Sequence, residues 1–80
     1  MTTDKEGDYC VQVGAFSKEL NANNLAQKLK DKGFTAYVES IALKDRMIYK
    51  VRIGKFVNKS QAKKMEAELS GLGYPTKIYP

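Results

Sequence analysis

The chain has 80 residues, a length typical of one small domain and too short for two independent cores. It is 42% hydrophobic and 29% charged, a composition typical of globular proteins. The sequence has no His and a single Cys, which excludes a disulfide framework, the usual zinc patterns and a Ser-His or Cys-His catalytic unit. Its apolar runs are only a few residues long, which excludes a transmembrane helix. The net charge of +5 is concentrated in residues 41–80, which carry +6 against −1 for residues 1–40, so one region should favour anionic partners.

The chain divides into a short polar start and one duplicated domain. Residues 1–8 have no hydrophobic stretch, so they are not a signal peptide, and we interpret them as linker or cloning residues. Residues 9–80 form the predicted single domain, in which 9–40 align with 49–80 without a gap. Seven of these 32 positions are identical, mostly at apolar and glycine positions that common packing would preserve. They are Tyr9/Tyr49, Val11/Val51, Gly14/Gly54, Phe16/Phe56, Ala22/Ala62, Leu29/Leu69 and Gly33/Gly73.

The first copy predicts a strand, a helix and a second strand. Tyr9, Val11 and Val13 alternate with other residues, which predicts a strand with one buried face that ends at Gly14. An apolar stripe at helical spacing follows, and Gly33 lies where a helix end favours glycine. The stripe consists of Ala22, Leu25, Ala26 and Leu29. The second strand is predicted over about 35–41.

The second copy predicts the same three elements after a polar hairpin at 43–46. Its strand directs Tyr49, Val51 and Ile53 to one face, and Ile48, Lys50 and Arg52 to the other. Asn58 and Gln61 resemble a capping box at the start of a helix that Gly73 closes. The last strand is predicted over 76–79.

The resulting order is βαββαβ, and each helix has a single apolar stripe. Both helices should therefore cover the same face of a four-stranded antiparallel sheet with the first and third strands in the middle. This is the α+β, ferredoxin-like (RNP-like) class, built here from two βαβ-type halves. The opposite face has no helix to cover it, and we call it the open face.

The open face is the predicted functional surface. Strand alternation assigns to it two central cations, an amide and marginal aromatic rings, a mixture that suits an extended, partly anionic polymer better than a small apolar ligand. The assigned residues are Cys10, Gln12, Tyr37, Glu39, Ile41, Ile48, Lys50, Arg52, Lys77 and Tyr79. Each is also an ordinary strand residue, so the prediction depends on their convergence on one surface.

Two short motifs resemble those of the SPOR (sporulation-related repeat) domain. The first is the run from Val11 to Phe16 with Asn21-Ala22 and the following leucine stripe, and the second is the run from Tyr49 to Phe56. The resemblance covers about residues 9–79. It implies a bacterial cell-envelope or periplasmic module that binds peptidoglycan glycan strands stripped of their stem peptides, is enriched at the division septum and recruits attached proteins there.

The resemblance also implies particular contacts on the open face. The family's strand-one glutamine matches Gln12, and its strand-three basic residue matches Lys50. Ala15 stands where a serine is often found, and Ile48 where some members have a tryptophan. The predicted glycan-binding residues are Gln12, Ala15, Tyr37, Ile48, Lys50, Arg52 and Tyr79. No catalytic residue, metal or cofactor is expected. We expect the domain to be monomeric and to be excised from a longer envelope protein. Any membrane contact is expected to be made through the missing part of that protein.

Three other functions fit the sequence less well. RNA-recognition modules share the βαββαβ order but stack bases on aromatic residues of the central strands, and the corresponding positions here are not aromatic. The lack of these aromatic residues argues against RNA binding, so no nucleic acid is expected as a partner. An RNA-recognition-like nucleic-acid-binding domain is nevertheless the alternative function, because the order of elements is the same. A ferredoxin-like regulatory domain that dimerises around a metabolite lacks conspicuous polar residues at its turns. An enzyme is least favoured, because Glu39, Asp45, Glu66 and Glu68 show no acid–base pairing pattern and are expected to be solvated.

Overall fold

Six secondary-structure elements follow one another in the predicted βαββαβ order. The structure is a computed structural model that describes residues 7–80. Its elements are β1 (Tyr9–Phe16), α1 (Glu19–Asp31), β2 (Ala36–Ala42), β3 (Met47–Phe56), α2 (Lys59–Gly71) and β4 (Lys77–Tyr79). Most of the predicted linker, residues 1–6, lies outside the described residues. Gly7 donates its backbone N–H to the Lys55 carbonyl at 3.2 Å.

The four strands form one antiparallel sheet in the order β2-β3-β1-β4. The predicted central position of the first and third strands is therefore confirmed. Both helices pack on the same face, where their small and branched residues meet the inward side chains of β1 and β3. This core contains Val11, Val13, Ala22, Ala26, Leu29, Ala36, Val51, Ile53, Ala62 and Leu69. Full burial of each larger side chain contributes about 1.5–3 kcal/mol, which holds the helices to this face.

The helix ends follow the sequence signals closely. The backbone N–H of Gln61 donates to Asn58 Oδ1 at 3.0 Å, which confirms the predicted cap of α2. At the end of α1, the Gly33 N–H donates to the Lys30 carbonyl and the Phe34 N–H to the Leu29 carbonyl. These are the two hydrogen bonds of a Schellman motif, and α2 ends in the same way. Neither helix in the 7–80 range is long and apolar enough to cross a membrane.

Two bulges interrupt the β1–β3 ladder and change which side chains reach the open face. Gln12 pairs with Arg52 but Gly14 pairs with Val51, so β1 has one extra residue at this point. The prediction that Gly14 ends the first strand is therefore wrong, because the strand continues through the bulge to Phe16. Beyond it the alternation reverses, so that Ala15 lies opposite Lys50 while Phe16 packs against the core.

The second bulge lies at the equivalent point of the other copy. Tyr9 pairs with Phe56 and Val11 with Ile53, so β3 has an extra residue around Gly54, whose φ is 79°. Phe56 packs against the core, as its repeat partner Phe16 does. Strict alternation would direct Lys55 to the core, whereas the bulge leaves it exposed. The duplication thus extends to the irregularities of the two central strands.

Candidate functional site

The open face collects all seven predicted site residues, as the strand pairings show. Across β2 and β3, Tyr37 lies opposite Arg52 and Ile41 opposite Ile48. Across β3 and β1, Arg52 lies opposite Gln12 and Lys50 opposite Ala15. At the other edge, Cys10 and Gln12 pair with Tyr79 and Lys77 of β4. Their location on one surface is established by the register, while their role as glycan contacts stays a prediction.

Three cations surround the ring of Tyr79 on this face. The Lys50 and Lys77 ammonium nitrogens lie 5.5 and 5.4 Å from the ring centroid, and the guanidinium carbon of Arg52 lies 5.0 Å from it. Lys50 and Arg52 belong to β3 and Tyr79 to β4, so these contacts span β1, which lies between the two strands. Each such contact stabilises an exposed cation by roughly 0.5–1 kcal/mol. We call Lys50, Arg52 and Lys77 the cation cluster; Lys77 was placed on this face by the sequence but not among the predicted site residues.

The guanidinium of Arg52 is also paired with a carboxylate. Its Nη1 lies 2.5 Å from Glu39 Oε1, and the side chains are 15% and 50% exposed. The pair runs diagonally, since the residue directly opposite Glu39 is Lys50. Glu39 is half exposed, as expected for a solvated residue, but it also pairs with Arg52. Glu66, expected to be solvated as well, accepts a hydrogen bond from the Thr76 hydroxyl at 3.2 Å.

Two buried polar atoms of open-face residues have no hydrogen-bond partner in the described part of the chain. They are Gln12 Oε1, an acceptor, and Arg52 Nε, a donor, and both are shielded from solvent. Their residues are direct cross-strand neighbours. A buried polar atom without a hydrogen-bond partner lowers stability by about 1–3 kcal/mol. A rearrangement that gives these two atoms partners would therefore be stabilising.

One corner of the open face is closed by side chains of its own. The Tyr37 hydroxyl donates to the Gly54 carbonyl at 3.2 Å, and the Lys55 ammonium lies 5.9 Å from the Tyr37 ring centroid. Burial, followed by the neighbouring Cys10 thiol, raises the pKa of Tyr37 from 10 to about 12. Cys10 itself is only 6% exposed although no helix covers it. The face is therefore less bare than predicted around Tyr37 and Cys10.

Lys55 is the open-face residue that the sequence reasoning missed. Period-two alternation assigns it to the core, and only the bulge places it beside Tyr37. The repeat contains a signal that identifies it, because Lys55 is the forty-residue counterpart of Ala15. Residues 7–80 hold no group of three or more His, Cys, Asp or Glu arranged to bind a metal ion.

Comparisons with known proteins agree with this architecture. The sequence model of the SPOR domain matches residues 5–79. The solution structure of the peptidoglycan-binding domain of the B. subtilis cell wall lytic enzyme CwlC is 37% identical in sequence, with a TM-score of 0.76 over 99% of this chain and 95% of that one. No curated protein sequence matches the chain. The family model spans nearly the whole domain, and the chain therefore belongs to the SPOR domain family.

Proposed function

We propose that this domain binds peptidoglycan glycan strands stripped of stem peptides, without catalysis, through its open face. The observation that carries the proposal is the cation cluster around Tyr79 on the sheet face that no helix covers. Membership of the SPOR family and the likeness to a peptidoglycan-binding domain support the ligand class. In a bacterial envelope or periplasm, such binding localises an attached protein where stripped strands accumulate, namely the division septum.

The ligand's charge explains why cations are needed on this surface. Removal of the stem peptide from a muramic acid leaves its lactyl carboxylate free, so a stripped strand carries regularly spaced negative charges. Lys50 and Lys77 can pair with these carboxylates, and Arg52 can do so with two parallel hydrogen bonds. Exposed ion pairs contribute only about 0–1 kcal/mol each, so a monomeric domain must engage several sugars at once.

The uncharged residues of the open face are suited to contact the uncharged parts of the sugars. Gln12 can donate to hydroxyl groups and accept from acetamido N–H groups, and its Oε1 has no hydrogen-bond partner within residues 7–80. Ala15 and Ile48 on the central strands, and the Tyr79 ring on the edge strand β4, offer apolar contact area to sugar rings. An intact stem peptide would convert the carboxylate to an amide and obstruct approach to this flat surface, so charge and shape both favour the stripped strand.

Co-sedimentation with purified sacculi, before and after amidase removal of stem peptides, tests the proposal. Wild-type protein should pellet more strongly after amidase treatment. Lys50→Glu should lose this gain, whereas Lys63→Glu on the exposed side of α2 makes the same charge change away from the open face and should retain it. Pelleting that does not rise after amidase treatment, or an equal loss in both variants, would contradict the proposal.

The nucleic-acid alternative is tested by titration with single-stranded RNA at increasing salt. The aromatic rings of the open face lie on the outer strands β2 and β4, not on the central strands where RNA-recognition modules stack bases. We expect no RNA binding at a salt concentration where sacculi still bind. Tight binding that weakens steeply as salt is added would instead favour phosphate recognition.

A further inference from the structure

The carboxylate of Glu39 occupies a place on Arg52 that an anionic ligand would otherwise take. We infer that Glu39 is a specificity-determining residue, an internal competitor that a ligand must displace with carboxylates of its own. This inference rests on the proposed function and specifies how the site separates a polyvalent glycan from a single anion. Because Arg52 is paired with Glu39, Lys50 and Lys77 would make the first contacts with an anionic ligand.

The Arg52–Glu39 pair has the geometry of a replaceable contact. Only Nη1 of Arg52 reaches Glu39, while Nε, which a parallel two-bond contact would also use, is shielded from solvent and has no partner among the described residues. A guanidinium has five N–H donors, and a carboxylate bound through Nε and one Nη uses two of them. A ligand carboxylate that turned the guanidinium in this way would satisfy Nε, which Glu39 leaves unsatisfied.

Displacement of Glu39 is inexpensive because its side chain is half exposed. At 50% exposure the released carboxylate returns to water near its original position, and an exposed ion pair contributes only about 0–1 kcal/mol. The negative charge nevertheless remains on the face, directly opposite Lys50 in the strand register. It therefore opposes every bound anion and leaves a favourable balance only when several ligand carboxylates engage the cation cluster together.

Neutralisation of Glu39 should thus strengthen binding. Glu39→Gln retains an oxygen that accepts from Arg52 but removes the charge, and Glu39→Thr removes the group with a residue that suits an exposed strand. Glu68→Gln on the exposed side of α2 makes the same charge change elsewhere. For each protein, dissociation constants are measured with amidase-treated sacculi by co-sedimentation and with N-acetylmuramic acid by NMR titration.

Both Glu39 variants should bind amidase-treated sacculi about two- to fivefold more tightly than the wild type, with a larger relative gain for N-acetylmuramic acid. Glu68→Gln should bind as the wild type does, and the gain should shrink as salt is added. If the wild type binds and the Glu39 variants bind equally or more weakly, or Glu68→Gln gains as much, the inference is overturned while the proposed function stands. A wild type that fails to bind amidase-treated sacculi overturns both.

Discussion

The guanidinium carbon of Arg52 lies 5.0 Å from the ring centroid of Tyr79, although their strands are not neighbours in the sheet. The same guanidinium also pairs with Glu39 of β2, so the Glu39, Arg52 and Tyr79 side chains form one contact chain on the open face. This contact chain joins three strands, β2, β3 and β4, across the open face. The arrangement makes Tyr79 the residue around which the cation cluster is organised.

Replacement of the Tyr79 ring should weaken glycan binding more than removal of its hydroxyl. Tyr79→Leu deletes the π-face shared by the three cations, each worth roughly 0.5–1 kcal/mol, so we expect about a tenfold weaker affinity for amidase-treated sacculi. Tyr79→Phe keeps the π-face and should bind within about twofold of the wild type. The affinities are obtained by co-sedimentation, with unfolding midpoints to confirm that both variants fold. Equal losses in the two variants would assign the effect to the hydroxyl instead.

Introduction of a side chain at Gly54 should destabilise the fold. Its φ of 79° is left-handed, and an added Cβ would lie 2.3 Å from Cζ of the Phe56 ring, which packs against the core. We expect Gly54→Ala to lower the free energy of unfolding by about 1–3 kcal/mol, measured by denaturant titration. Gly71→Ala is the control, because an added Cβ at that helical position meets nothing within 4 Å, and it should leave the free energy of unfolding unchanged or raise it by up to about 1 kcal/mol. A Gly54 variant as stable as the Gly71 variant would contradict the proposed strain at this bulge.

Stability should also depend on pH through Tyr37. Its pKa is raised to about 12 in the folded state by burial and by the Cys10 thiol, against 10 for the unfolded chain. The folded state therefore holds the phenolic proton more tightly, and the resulting stabilisation is fully present below pH 10 and is lost as pH rises through about 12. The free energy of unfolding of the wild type should fall faster over this range than that of Tyr37→Phe. Parallel pH profiles for the two proteins would show that Tyr37 titrates alike in the folded and unfolded states.

Much of the architecture was predictable because its causes are local. Alternation along β1 and β3 identifies Val11, Val51 and Ile53 as core residues, and helical spacing identifies the stripes of α1 and α2. The forty-residue duplication then makes the two central strands equivalent. Face assignment follows from these periods alone, so Gln12, Lys50 and Arg52 were correctly placed on the open face. Asn58 was correctly identified as a helix cap for the same reason, since a cap bonds within its own turn.

The sequence by itself determined the order of the elements, the covered face of the sheet and the positive charge of the second half, since periodicity, capping and composition act within a few residues. The tertiary structure alone decided where alternation breaks and which charges meet. A bulge arises from a mismatch between two paired strands, so the placement of Ala15 and Lys55 depends on the β1–β3 register. The Arg52–Glu39 and Arg52–Tyr79 contacts join three strands. Which neighbours a long side chain contacts is decided only when those strands lie side by side in the sheet.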